Sequence, residues 1–442
     1  MLSCPAFRGT SRMADPTARE AKAERATPKL YENVTSPFDG MLNDDITVER
    51  KGDTLKVLKG ACAKSVAGFE RRLPKAQPTV RGKPVELATA IKEAAHLIGE
   101  AELPLVGGLA TDVEGMRAAL AVAERAGGIV DHALSGGLYR NLKVMQISGW
   151  ITSTLTETRN RADLIIVVGD VPKLHPRFME RIVEPSASMF DVTAKKRTVV
   201  FIGKGGDAAF ASKAGETVTL PCRIEQAGEV IGTLRARLRG FRTKARKVAG
   251  IPLAEIDALA ERCRNATYGV VVWAPPVLDF PHAELTVDQL AGLAKDLNQT
   301  IRFAGLSLGG AEGAVTAAAT TTWITGYPLR VSFARGAPDY DPYRYDIARM
   351  LDDGEGDLLV WIASFSPDLA PPRSKLPAVV LGTPGLKLLN PPEVFIPIGT
   401  PGVDHAGRLV RVDNVVSLPL KDLGRSELPS AASILSAIEA EL

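Results

Sequence analysis

The stretch GGIVDHALSGGLYRNLKVMQISGWITSTLTETRNRADLIIVVGDVPKLHPR, Gly127 to Arg177, carries the reading of the fold. Its apolar run Leu164 to Val168 has the length and composition of a strand buried on both faces, and it stops at Gly169-Asp170. Asp170 then stands at the C-terminal end of a parallel strand, where open α/β sheets bind their ligands. Upstream, a loop of small residues, Ala133 to Gly137, leads to a basic patch with Arg140 and Lys143. The hydroxyl-rich Thr152-Ser153-Thr154 follows. The whole reads as a ligand-site wall, and it contains no cysteine and no metal-ligand cluster.

Outward from this stretch the α/β signal repeats. On the N-terminal side, a helix over Val85 to Ile98, a strand at Leu103 to Val106, a helix over Val113 to Arg125 and a strand at Ile129-Val130 make a βαβ unit. On the C-terminal side, Thr198 to Ile202, Gly269 to Trp273 and Ile301 to Leu306 read as strands. Between them lie helices at Glu229 to Lys247, Leu253 to Cys263 and Thr286 to Leu297, the last placed by a capping-box spacing. Strands at Leu358 to Ile362, Ala378 to Leu381 and Glu393 to Ile398 come later, then a hairpin over Asp413-Asn414 and a short helix. Before all of these, Met41 to Val48 and Leu55 to Leu58 read as two strands joined at Lys51-Gly52-Asp53, a small β module. Residues 1–30 read as a flexible tail, with Met1 and Met13 both open as the start.

The chain has 442 residues, 45% hydrophobic and 24% charged, with a net charge of +3, an ordinary balance for a soluble protein of several domains. The weak positive charge gives no ground for a nucleic-acid partner, and no apolar run suits a membrane span. The start lacks the apolar core of a secretory signal. The scattered Cys4, Cys62, Cys222 and Cys263 suit a reducing cytoplasm.

Most searchable chemistry is missing. There is no GxxxxGK[ST] loop, no GxGxxG between strand and helix, no GxSxG around Ser153, and no CxxC, HxH or HExxH. Gly203-Lys204-Gly205-Gly206 is either a phosphate cradle or an ordinary turn, and the basic run Arg235 to Lys247 either a polyanion site or a solvated helix face. His175, just past a strand end, is a candidate ligand-binding residue or a locally satisfied histidine. Arg140, Lys143, Arg177 and Arg335 are expected in loops near strand ends. If they converge, they make an anion site, because guanidinium groups clamp carboxylates in pairs.

The segments NRADLIIVVGDVPKLHPRFMER, WITGYPLRVSFARGAPDYDP and GDLLVWIASFSPD, with SPFDGMLNDDI and GACAKSVAGF before them, resemble the B-type subunit of the formylmethanofuran dehydrogenases. That family belongs to the molybdopterin oxidoreductase superfamily. The resemblance spans about residues 31–442. It implies a small N-terminal module, 31–75, in the place of an iron–sulfur domain. Two doubly wound α/β domains follow, one discontinuous, 76–135 and 326–442, the other, 136–325, inserted. The resemblance further implies a form that lacks the superfamily's C-terminal β-barrel domain.

The departures matter most. Ser36, Asp39 and Asn43 stand where the family carries cluster cysteines, and only Cys62 remains. Gly137 and Leu138 align with its metal-binding cysteine and adjacent histidine. Arg335, in FARG, aligns with an arginine of its active centre. In this stripped form the chain resembles the B-type subunit of the bacterial formyltransferase/hydrolase complex. That complex moves a formyl group from tetrahydromethanopterin to a methanofuran-like carrier and hydrolyses it to formate. The resemblance implies a non-catalytic, cytoplasmic subunit that holds no cofactor of its own. Its partners would be an amidohydrolase-type subunit, a formyltransferase subunit and a small β-rich subunit. The carrier's glutamate tail is a possible ligand of Arg140, Lys143, His175, Arg177 and Arg335. The alternative is an active molybdenum or tungsten enzyme with a non-cysteine ligand such as Ser135 or Ser153.

Overall fold

A computed structural model describes residues 27–203 and 213–442. Its largest sheet runs in the order Asp339–Tyr340, Val331–Ser332, Ile129–Val130, Pro104–Ala110, Leu358–Ala363, Ala378–Gly382, Val394–Pro397, Thr79–Val80, Lys83–Pro84. The five central strands, from Ile129–Val130 to Val394–Pro397, are parallel, and the short outer ones antiparallel. Leu358–Ala363 and Pro104–Ala110 are buried along their whole length, as expected where helices cover both faces. The second sheet is fully parallel, in the order Glu216–Leu220, Thr198–Ile202, Leu164–Val168, Tyr268–Trp273, Arg302–Ser307. A third sheet pairs Lys29–Val34, Ile46–Lys51 and Thr54–Lys59 antiparallel. The hairpin Gly407–Val410 with Ser417–Leu420 turns over Asp413-Asn414 as expected.

Each parallel sheet winds in both directions from one strand, which places a topological switch point at its centre. In the large sheet, Pro104–Ala110 is followed by Ile129–Val130 on one side and later by Leu358–Ala363 on the other. In the second sheet, Leu164–Val168 is followed by Thr198–Ile202 on one side and later by Tyr268–Trp273 on the other.

Several expected elements shift. The segment 41–45 bends instead of pairing, since Leu42 takes a positive φ of 51° and the strand starts only at Ile46. Ser135–Ser148 is a helix, so Arg140 and Lys143 lie on a helix and not in a loop. The basic helix runs from Ala227 to Leu238 and stops there. Gly240 takes φ +82°, Phe241 donates to the Ala236 carbonyl and Gly240 to that of Arg237, a Schellman stop that leaves Arg242 to Arg246 outside the helix. The helix placed at Thr286 begins a turn earlier, at Ala283. The helix Ala314–Thr325 packs against Val113–Arg125 and Pro104–Ala110, so in packing it goes with the large sheet although it precedes residue 326. Lys204 to Gly206 and most of the expected tail lie outside the described residues.

Candidate functional site

The two switch points are the natural ligand sites of such sheets, and the chain's own residues occupy both. Beyond the large sheet, Thr111 and Phe365 follow the two strands that flank the switch. Gly313 sits on them. A β-carbon there would lie 2.8 Å from the Thr111 carbonyl oxygen and 3.3 Å from the Phe365 ring. Only a glycine, at φ +72°, lets this turn approach so closely. The preceding Glu312 is drawn in with it. Its carbonyl accepts a bond from His132 Nε2 at 3.0 Å, while His132 Nδ1 accepts one from the Leu134 N–H at 2.9 Å. Those two bonds leave one neutral tautomer, and burial holds the imidazole down to about 4. Burial pushes the Glu312 carboxyl up to about 7, and its Oε2 has no hydrogen-bond partner among the described residues.

At the second switch point, Gly169 follows Leu164–Val168 and Ala274-Pro275 follow Tyr268–Trp273. A β-carbon on Gly169 would lie 2.3 Å from Val277 Cγ1 and 3.0 Å from Ile224 Cδ1. Gly137, in the helix Ser135–Ser148, is pressed on the same turn, since its β-carbon would lie 2.8 Å from Cβ of Pro275. Leu138, its neighbour, packs into the core of the large sheet.

The N-terminal module brings Ser36, Asp39, Asn43 and Cys62 together, with Ser65 among them. Ser36 Oγ lies 2.7 Å from Ser65 Oγ, and Asn43 Nδ2 donates to Asp39 Oδ2 at 2.6 Å. Ser65 Oγ donates to the same oxygen at 3.3 Å, and Cys62 Sγ lies 4.0 Å from it. All five are buried. Desolvation raises the Asp39 carboxyl above its ordinary range, against the hydrogen bonds that pull it down. An iron–sulfur cluster does not fit this donor set. It needs four thiolates or their equivalents, and here one thiol stands among groups already bonded to each other. The module rests on the rest of the chain at Gly40, whose β-carbon would lie 2.7 Å from the Gly310 carbonyl oxygen.

The residues expected to bind a ligand fall in three places. Arg140 is paired with Asp279 and donates to the Pro275 carbonyl at 3.0 Å, while Lys143 on the same helix reaches Glu284 at 2.9 Å. His175 and Arg177 join the second sheet's region to the rest. His175 Nε2 meets the Leu308 carbonyl at 3.3 Å, and burial lowers the ring to about 4. Arg177 is buried and bonds Asp45 at 2.5 and 2.8 Å, Glu180 at 2.7 Å and the Gly60 carbonyl. These carboxylates raise its pKa further. Arg335 lies apart on the surface, 3.8 Å from Asp339. Of the serines named as alternative metal ligands, Ser135 accepts a bond from Arg330 at 3.1 Å and Ser153 lies 3.3 Å from Thr158 Oγ1. Among the described residues no group of three or more His, Cys, Asp or Glu could hold a metal ion.

Sequence reasoning did not single out Glu312, Gly313 or Val277. The paired glycines at 309 and 310 were the available signal, but a turn that folds back over another sheet leaves no periodicity.

The B-type subunit of the tungsten-containing formylmethanofuran dehydrogenase 2 of Methanocaldococcus jannaschii is 30% identical to this chain over 406 residues, 88% of this chain and 92% of the relative. The chain belongs to the family of B-type subunits of formylmethanofuran dehydrogenase. The corresponding protein of Methanococcus maripaludis is 28% identical over the same coverage. The B-type subunit of the formyltransferase/hydrolase complex Fhc of Methylorubrum extorquens is 29% identical over 338 residues, 75% of this chain and 87% of that one. In the crystal structure of that organism's FhcABCD complex with methylofuran, a chain 28% identical matches with a TM-score of 0.70, covering 82% of this chain and 98% of its own length. Acetylene hydratase of Pelobacter acetylenicus, 9% identical, matches with a TM-score of 0.63 over 93% of this chain and 69% of its own, which speaks to the fold alone. No family model matches the chain. Among the described residues no helix is long and apolar enough to cross a membrane.

Proposed function

We propose that this family member is a non-catalytic framework subunit of a formyltransferase/hydrolase complex. In that role the complex's amidohydrolase-type and formyltransferase subunits carry the chemistry, with a small β-rich subunit as a further partner. The observation that carries the reading is closure. Both sheet switch points are packed by the chain itself, at Gly313 and at Gly169 with Gly137. The positions aligned with cluster cysteines hold a hydroxyl, a carboxylate and an amide bonded together beside a single thiol. The strand content of the two large sheets supports a division into a module at 31–75, a discontinuous domain at 76–135 and 326–442, and an inserted domain at 136–325. Binding of the carrier's glutamate tail belongs to the same proposal. Of the cations considered for it, Arg335 and Lys143 keep exposed side chains, whereas Arg177 is committed internally.

The competing reading, an active tungsten or molybdenum subunit, draws on the relatives from methanogens. The serines it would use speak against it, because Ser135 already accepts a bond from Arg330 at 3.1 Å and Ser153 lies 3.3 Å from Thr158 Oγ1. Purification of the tagged chain from its native host separates the two. The framework reading expects formyltransferase and amidohydrolase subunits to elute with it, with no redox metal on this subunit. Elution alone, or with stoichiometric tungsten or molybdenum and a pterin, defeats it.

A further inference from the structure

The basic run that begins on the helix Ala227–Leu238 divides in two. Arg235, Arg237 and Arg239 are oriented by carboxylates. Asp296 lies 2.8 Å from Arg235 and 2.5 Å from Arg239, and Asp257 lies 2.6 Å from Arg237. Arg242, Lys244, Arg246 and Lys247 lie beyond the helix stop, and all four are exposed. Their side chains have no ion-pair or hydrogen-bond partner among the described residues. The segment 239–250 contains no Asp or Glu. Glu255, in the first turn of the next helix, pairs with none of the four.

Phe241 heads this loop, 64% exposed. Its backbone is fastened on both sides. The Phe241 N–H donates to the Ala236 carbonyl at 2.9 Å, and Arg237 Nη1 donates to the Phe241 carbonyl at 2.7 Å. At the far end, Lys247–Val248 pairs antiparallel with Ile251–Pro252, and Val248 and Ile251 enter the core of the second sheet. The loop is anchored at both ends. Between its anchors it offers one aromatic ring and four unpaired cations.

An exposed phenylalanine alone, or a charge run alone, needs no partner. Together they narrow the choice. Burial of the ring is favourable only in a partner that also meets the adjoining cations with negative charge. The surface of an anionic bilayer supplies both, acyl chains beneath the ring and phosphates around the cations. A single-stranded nucleic acid is bound by several aromatic platforms in a groove, and this loop has one ring. Specific recognition of an acidic peptide uses guanidinium groups held in a fixed geometry, as Arg237 and Arg239 are held. The four cations of the loop stand on unbraced stems, which suit headgroups that move to meet them. We propose that the loop at 241–247 is a docking site for an anionic lipid surface and seats the chain reversibly on a membrane. The proposal goes beyond the framework reading and does not depend on it.

The test is co-sedimentation of the full chain with vesicles of phosphatidylcholine alone and of phosphatidylcholine mixed with phosphatidylglycerol, at low and at high salt. It is repeated with Phe241→Ala and with the double variant Arg242→Gln, Lys244→Gln. The chain is expected to pellet with the mixed vesicles and not with the neutral ones, and to be released by salt. The double variant should bind more weakly by roughly 5-fold for each charge removed. Phe241→Ala should also weaken binding, through loss of the inserted ring. All the changed side chains are exposed, and thermal unfolding of each variant checks that the fold is kept. Failure to pellet with the mixed vesicles, equal pelleting with both kinds, or unchanged binding in either folded variant overturns the proposal. Tighter binding of single-stranded RNA or of a polyglutamate peptide than of the mixed vesicles overturns the assignment to lipid.

Discussion

Three residues carry the closed state, and each can be tested by itself. Gly169 combines a positive φ of 76° with a Cβ position 2.3 Å from Val277 Cγ1. Gly169→Ala therefore meets both left-handed strain, roughly 1–2 kcal/mol, and overpacking, roughly 1–3 kcal/mol. Denaturant unfolding should show a combined loss of about 3 kcal/mol, and adding Val277→Ala should return the packing part but not the strain. Full recovery would mean that Val277 alone sets the geometry. Asp39 is tested through the cluster it joins. Asp39→Ala strands the Asn43 amide, a loss of roughly 1–3 kcal/mol for one unpaired buried group, while Ser65 keeps its bond to Ser36. Asp39→Asn keeps an acceptor and should be the milder change in thermal unfolding. Glu312 sets a pH dependence. Its folded pKa, about 7, lies above the ordinary 4.5, so the folded chain holds this proton more tightly than the unfolded one. The stability it contributes is fully present below 4.5 and is lost as the pH rises through 7. Glu312→Gln should remove that slope and gain stability on the alkaline side, which urea unfolding at a series of pH values measures. An unchanged slope would contradict the burial of this carboxyl.

At the scale of elements, the sequence was most legible where burial is two-sided. Leu164–Val168 and Leu358–Ala363 are buried throughout, so their apolar runs stand out without alternation. The helix Ser135–Ser148 was hidden because it opens on Ser-Gly-Gly and buries few of its side chains, Ser135, Asn141 and Val144. The helix ending at Leu238 was overextended because charge continues past it, while Gly240 makes the stop. The candidate site was legible only in part. Ser36, Asp39, Asn43 and Cys62 could be named from resemblance, and packing brings them into one cluster. The four cations could be named from position, but nothing local says that Arg177 turns to Asp45 and Glu180. That pairing holds the N-terminal module to the second sheet's region. Arg177→Ala should cost about 1–3 kcal/mol, less than a fully buried pair because Asp45 is half-exposed. It should also speed proteolysis within residues 29–69, and unaltered cleavage there would remove Arg177 from this role.

At the scale of the whole molecule, two α/β sheets each have their switch point packed by the chain's own turns. The Gly309–Gly313 turn covers the large sheet's switch point and also receives Gly40 of the N-terminal module through Gly310. Val277 and Pro275 cover the other. Such packing suits a part whose surfaces matter more than its interior, as the framework reading requires. The most direct test is the content of iron, tungsten, molybdenum and pterin in the full chain, purified without oxygen from a host that makes the pterin cofactor. The account predicts that all four are far below one per chain. One tungsten or molybdenum per chain, with its pterin, would contradict it.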